Sequence, residues 1–371
     1  MRLALRELRR RPGRFSVAGV ILTLIALLLM FLGGLLDGLL GSATGAYRAQ
    51  RADLVVYSAT AQESLVRSRV PVDVRAAVEE VDGVDTAGGL GSIQLGARPG
   101  DDPEARDLVP TVLFGYELAP SGLPAEPPGP GTVIGDASLR SEGVDEGDTL
   151  LLGPQRTPVE VTGFVDDTRY SGQATLWGSL DTWREVAAAN RPDQATAEAV
   201  QALVVRTDGA APAAVADRID SATGGATRTL TLAAATDGLP GVSEQRTTFN
   251  QIIGVTLVVA LVVVALFFAL ITVERTALYG LLKAVGGSNG TLVAGLVTQA
   301  VVVTLVPAVV GVAATLALDA AIPPGALPFA AAPARLATNV ALLLAAAVAG
   351  CAFSLRRVLR IDPASAIGAA S

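Results

Sequence analysis

The sequence predicts an α-helical membrane protein with four transmembrane helices and a large extracytoplasmic α+β domain, in which two strand-helix-strand lobes flank a small β-rich subdomain. Three observations predict it. Four long stretches contain no Asp, Glu, Lys or Arg, and arginines gather at the ends of three of them. Between the first two stretches lie 209 residues (38–246) that read as short strands and helices between Gly, Pro and Asp turns. Apolar residues make up 51% of the chain and mean hydropathy is +0.49. That is too apolar for an ordinary soluble domain and too polar for a chain wholly in lipid.

The charge-free stretches are 15–36, 247–273, 284–318 and 336–355. Each reaches the roughly 20 residues that cross about 30 Å of hydrocarbon. The third exceeds one span, so its helix is placed at 291–318, and 284–290 (AVGGSNG) is assigned to a cytoplasmic turn. The first could be a signal peptide, but its apolar core exceeds the usual ~7–15 residues of such a segment. No small-x-small cleavage site follows before Asp37, so it is read as an uncleaved anchor. The division is then 1–14 basic cytoplasmic N-terminal helix, 15–37 first span, 38–246 outer domain, 247–273 second span and 274–290 cytoplasmic segment. It continues with 291–318 third span, 319–335 outer loop, 336–355 fourth span and 356–371 cytoplasmic tail.

Arginines orient these spans. Segments 1–14, 274–290 and 356–371 together hold 11 basic and 3 acidic residues, whereas 38–246 holds 16 basic and 30 acidic. The positive-inside rule puts both termini and 274–290 in the cytoplasm of a bacterial cytoplasmic membrane and 38–246 outside it, the decisive cluster being Arg2, Arg6, Arg9, Arg10, Arg11 and Arg14. Set against a span, that cluster serves topology rather than nucleic-acid binding.

Scarcities exclude whole classes of chemistry. The chain has no histidine, one cysteine (Cys351) and one lysine (Lys283). Lys283 sits in Leu282-Lys283-Ala284, so no Walker A motif is present. Without histidine there is no Ser-His-Asp triad and no H-E-x-x-H zinc site. Cys351 lies in an apolar run and is read as a packed, inert side chain. The acid clusters Asp145-Glu146-Gly147-Asp148 and Asp166-Asp167 lack EF-hand spacing and are read as solvated turns. The reading is therefore no enzyme, with no catalytic, metal or cofactor site in this chain.

Within the outer domain, 53–57 (DLVVY) reads as a strand, and Val74, Ala77, Val78 and Val81 mark one face of a helix opened by Pro71. The order recurs late, with strand 202–206, helix 211–222 and strand 227–232. Residues 131–185 form a run of short strands, expected to make a small β-barrel or meander entered through the Pro-rich 120–130 stretch. Trp177 and Trp183 fall at its end and are expected to fill a core rather than meet a partner.

The span cores carry no charge, which argues that work done by this protein is powered elsewhere. Gln299 and Pro307 in the third span could shape a substrate path or simply a kink and a hydrogen bond. Small residues recur at helical spacing at Gly34 and Gly38 and at Ala346, Gly350 and Ser354, where they let helices approach closely. Segment 274–290 continues the second span. Leu278, Leu281 and Leu282 give it an apolar stripe that either lies on lipid or docks in a partner's groove, and the scarcity of positive charge favours the partner.

Three signatures then occur in order. The start is LALRELRRRPGRFSVAGV; the middle runs from Glu274-Arg275-Thr276 to Gly280-Leu281-Leu282-Lys283-Ala284-Val285-Gly286; the end is Arg356-Arg357-Val358-Leu359-Arg360-Ile361-Asp362-Pro363-Ala364. With them the chain resembles, over essentially its whole length, permeases of the FtsX/MacB type, the four-helix membrane subunits of ABC transporters; the opening through RADLVVYS resembles the DevC-like subgroup linked to glycolipid export. The resemblance implies a MacB-like core domain at 38–246 and a homodimer working with two copies of a separate ABC ATPase, which would hold the ATP and Mg. A membrane-fusion protein is a further implied partner. Glu274, Arg275, Leu278, Tyr279, Gly280, Leu281, Leu282, Lys283, Ala284 and Gly286 would couple to that ATPase. Where the family pattern has Glu-Ile before glycine, this chain has Leu278-Tyr279, which implies a more apolar docking contact. The implied function is mechanotransmission that exports or extracts a lipid, glycolipid or drug; the alternative is an FtsX-like regulator of an extracellular cell-wall hydrolase.

Overall fold

The computed structural model describes residues 12–100, 108–192, 199–274, 289–322 and 327–359. The chain divides into two compact units. A membrane unit comprises 1–37, 246–322 and 329–371, and an outer unit comprises 38–245 and 323–328.

Among the described residues four helices are long and apolar enough to span: α1 (Pro12–Arg48), α6 (Val242–Glu274), α7 (Asn289–Ala321) and α8 (Pro333–Leu359). Their apolar runs satisfy lipid on every side, so the sequence pattern alone marks no inner face. Packing does. In the span part of α6 the buried positions are Ile253, Thr256, Ala260, Val264, Phe268, Ile271 and Thr272, a stripe at three- and four-residue spacing. Val255, Val258, Val262, Leu266 and Leu270 on the other faces stay exposed, as lipid-facing residues should. A small core collects Leu22, Val264, Phe268, Leu296, Ala300, Val303, Ala347 and Cys351, so Cys351 is packed as expected.

Among the described residues the outer unit is built on one nine-stranded sheet; β2 (Val70–Pro71) and β9 (Ala199–Val200) pair separately, and the short helix α5 (Leu232–Asp237) follows the last strand. β1 (Leu54–Ser58), α2 (Val72–Glu79) and β3 (Val84–Pro99) form one strand-helix-strand unit. β10 (Ala202–Thr207), α4 (Pro212–Ala222) and β11 (Thr227–Thr231) form the other. These units do not stand apart as flanking lobes. They interleave in the order β11-β1-β10-β3, all antiparallel neighbours, the arrangement of a split βαβ pair. The physical reason is burial. Leu54 and Val56 point to the face covered by Val78 of α2 and by Val215 and Ile219 of α4, so one continuous core serves both helices.

The β-rich part continues the same sheet as β4 (Val109–Tyr116), β8 (Ala174–Ser179), β5 (Thr132–Asp136), β7 (Thr157–Val165) and β6 (Thr149–Leu152). β6 also pairs with the far end of β3 through Ala97–Leu152 and Pro99–Leu150, which closes a six-stranded barrel β3-β4-β8-β5-β7-β6. β3 is 16 residues long and therefore serves both the split βαβ sheet and the barrel. The barrel recruits β3 and β4 from before residue 131, where the sequence placed the start of the β-rich part.

Alternation along the strands fills the inside. Leu113, Val133, Leu150, Leu152, Val159, Val161 and Leu176 join the inner core, while Pro158 and Glu160 stay exposed. Trp183, on helix α3 (Leu180–Asn190), lies on this face over Gly91 and Gly115, where an added Cβ would come within 2.5–2.6 Å of Trp183 atoms. Trp177 faces the opposite way and stacks on Phe114 at 4.7 Å in the second core. Both tryptophans are core residues, one on each side of the barrel wall.

Burial holds the tyrosines of that second core neutral. It pushes the Tyr170 and Tyr116 hydroxyls up to about 12, and raises Tyr57 as well. A folded-state value raised above the unfolded one contributes stability fully at pH below the unfolded value, and that contribution is lost as pH rises through the folded value. We therefore expect an absorbance titration of the detergent-solubilised protein at pH about 11 to leave these phenols un-ionised, although a free tyrosine titrates near ~10. Thermal stability should fall as pH climbs from about 10 through 12. Full ionisation near pH 10.5 with an intact fold would contradict the packing described.

Candidate functional site: the outer end of helix α1 and the rim of the membrane unit

The last turns of α1 are built into the outer unit by a short loop, residues 166–173. The amides of Gly172 and Ser171 donate to the carbonyls of Ser42 and Ala43, at 3.0 and 3.1 Å, and Ala46 donates back to the Arg169 carbonyl at 3.2 Å. The helix backbone thus joins the loop almost as a strand would, with a bridge between Thr44 and Tyr170. So close an approach needs a missing side chain. A Cβ on Gly45 would lie 2.7–2.9 Å from three backbone atoms of Asp167 and Arg169.

The loop is fixed from its other side by Asp136 at the end of β5. Its carboxylate is 2% exposed and accepts from the amide and hydroxyl of Thr168 (2.9 and 2.8 Å) and from the amide and hydroxyl of Ser138 (3.0 and 2.6 Å). Four donors compensate the cost of burying that charge. Around the joint, Tyr47 of α1 shares a 2.9 Å hydrogen bond with Tyr57 and stacks on Tyr170 at 5.8 Å; Tyr170 in turn meets the Phe114 ring edge-on at 5.4 Å. Arg48 forms a 2.9 Å ion pair with Asp167 on the surface.

Beside this joint lies a cavity of about 430 Å³, lined by Arg48, Ala49, Ser121, Gly122, Phe164, Val165, Asp166 and Asp167. It has no nucleophile-base pair and no histidine. Among the described residues no group of three His, Cys, Asp or Glu is placed to hold a metal ion. In the other acid cluster, the Asp148 carboxylate closes a turn by accepting the Asp145 amide at 2.7 Å.

Within the membrane unit, small residues mark where the helices touch. A Cβ on Gly311 of α7 would sit 3.1 Å from Met30 Sδ of α1, and one on Gly350 of α8 would sit 2.6 Å from the Leu261 carbonyl of α6. Gly33 and Gly34 of α1 leave room for Asn339 and Phe329. Here too stands an ion pair that the sequence reading missed: Arg335 grips both oxygens of Asp37 at 2.6–3.2 Å. Gln299 is buried beside the small core, and α7 continues as helix through Pro307.

Of the predicted coupling residues, Glu274 is the exposed last residue of α6. Arg275, Leu278, Tyr279, Gly280, Leu281, Leu282, Lys283, Ala284 and Gly286 lie outside the described residues, as do the N-terminal basic cluster up to Arg11 and the tail from Arg360.

The family model for the FtsX-like permease C-terminal domain matches residues 250–363, a span that holds the second, third and fourth membrane helices and the whole of 274–286. Over this stretch the chain is similar to FtsX-like permeases. A relative along the full length is the putative hemin transport system permease protein HrtB of Staphylococcus haemolyticus, 20% identical over 379 residues and covering 99% of each chain. Two solved structures are similar in part. The periplasmic region of MacB from Actinobacillus actinomycetemcomitans covers 52% of this chain and 95% of its own, at 9% identity and a TM-score of 0.36. The extracellular domain of the ABC-type transporter YknZ from Gram-positive bacteria covers 48% and 100%, at 13% identity and a TM-score of 0.33. Permeases of this family are integral to the bacterial membrane and work with an ATPase partner, and the family is normally not itself catalytic.

The joint at Gly45 gives a direct test. Gly45→Val should cost the protein about 1–3 kcal/mol through overpacking against backbone. Gly19→Ala in the same helix, where nothing lies within 4 Å of the new Cβ, should leave stability unchanged. Thermal unfolding in detergent of the two variants checks this; equal effects would contradict the close approach.

Proposed function

We propose that this permease couples ATP hydrolysis in a separate cytoplasmic ATPase to motion of residues 38–246 and thereby exports or extracts a hydrophobic or amphipathic molecule. Both termini and 274–290 face the cytoplasm in this reading, as the arginine distribution directs. Two copies of the chain work with two copies of the ATPase, which holds the ATP and Mg. A membrane-fusion protein would be an accessory. The observation that carries the reading is the family match across 250–363, because it includes the segment that an ATPase must push. The span cores support it, since without ionisable groups they offer no relay for proton- or ion-driven transport.

The substrate class follows from the same setting. A molecule taken from the outer leaflet brings apolar bulk together with a polar head, as lipids, glycolipids and many drugs do. The full-length relative is named for hemin transport, and hemin, a flat apolar ring bearing two carboxylates, belongs to that chemical class. A transport permease as the relative also favours transport over the hydrolase-regulator alternative.

Replacing Leu282 by Asp tests the coupling segment. A charge on its apolar stripe should abolish co-purification of the ATPase while leaving membrane insertion of the permease intact. Undiminished co-purification would show that the ATPase docks elsewhere.

A further inference from the structure

We propose that α8 is the lever that carries the ATPase stroke across the membrane to α1, and that the Asp37–Arg335 pair is its outer coupling. This rests on the reading of 274–286 as the site of ATPase docking. Helices α6 and α7 bound that segment, so both would be displaced when it moves. α8 touches both, along its length on α7 and locally on α6. It lies along α7, and it meets α6 at Gly350, where the missing Cβ lets the chain reach the Leu261 carbonyl and the Ala265 amide. A contact between backbones leaves no flexible side chain to absorb a shift, so α8 follows α6 and α7 as they move.

At its other end α8 is tied to α1. Arg335 of α8 holds Asp37 through three hydrogen bonds of 2.6, 3.1 and 3.2 Å, with the two side chains 32% and 17% exposed. One turn further on, the Asn339 amide, 2% exposed, donates to the Leu29 carbonyl at 3.3 Å. Just before α8 the Ala330 amide donates to the Gly34 carbonyl at 3.0 Å, and Phe329 stacks on Phe31 at 5.6 Å. α1 also meets α7, where Gly311 packs against Ala26 and Met30, but that contact is apolar and allows sliding along the helix axes. The forked ion pair does not, because its two parallel hydrogen bonds hold only in one register. α1 then continues as helix to Arg48, within the outer unit and at the joint on loop 166–173. Asp37 and Arg335 are thus positioning residues, and neither is assigned contact with substrate.

The test uses the permease–ATPase complex in lipid nanodiscs, with Cys351→Ala as background and a spin label on Thr60→Cys, an exposed position in the outer unit. The label's spectrum is compared without nucleotide and with ATP plus vanadate. In the otherwise unchanged complex it should differ between the two states. In Asp37→Asn, and separately in Arg335→Gln, the ATPase should still co-purify and hydrolyse ATP, but the nucleotide-dependent change should shrink by roughly fivefold or more. The charge swap Asp37→Arg with Arg335→Asp should restore it. A full-sized spectral change in either single variant would overturn the proposal. So would failure of the swap to restore it, or loss of ATPase binding in the single variants, which would place the pair in assembly. No change in the parent complex would overturn the coupling reading and the lever with it.

Discussion

Hydrocarbon admits no unpaired charge, and that constraint shapes everything in this protein. Four helices whose cores lack ionisable groups carry no side chain of the kind that relays protons, which supports the external energy source proposed above. Nor can they adhere by the hydrophobic effect, since lipid tails are as apolar as leucine. What remains is close backbone approach at Gly311 and Gly350 and a polar clasp at the rim, where Asp37 meets Arg335 and Asn339 reaches Leu29. The membrane unit thus combines a small apolar core with a few specific contacts of fixed register.

Outside the membrane the opposite problem is solved. The outer unit buries two cores against one sheet, and residues 38–48, the last turns of α1, belong to it. The helix end is not merely laid on the sheet. Loop 166–173 takes up its backbone groups, Gly45 makes room, and the buried Asp136 carboxylate holds the loop from behind. A neutral tyrosine cluster at Tyr47, Tyr57 and Tyr170 seals the joint without adding charge.

Much of this could be read from the sequence, for identifiable reasons. Spans are legible because hydrocarbon filters composition: the absence of charge over twenty residues is hard to produce otherwise. Their inner faces are not legible, because α6 and α7 are apolar all round and only packing picks out Ile253, Thr256 and Ala260 from Val255 and Val258. The strand-helix-strand units show as periodicity at 72–79 and 212–222, yet their interleaving depends on β1 pairing with strands about 150 residues away, as in Val55 opposite Val204. The barrel's run of strands is visible at 131–185, whereas the double use of β3 is fixed only when Pro99 meets Leu150. Asp37 served in the sequence merely to mark the end of a span; its partner stands 298 residues on, and no local pattern connects them.

The central claim is that an ATPase pushes this permease at 274–286. Site-specific photocross-linking from position 281 in native membranes tests it most directly. A covalent adduct between the permease and an ABC ATPase is the predicted result. Adducts only with lipid, or only with a second copy of the permease, would contradict it.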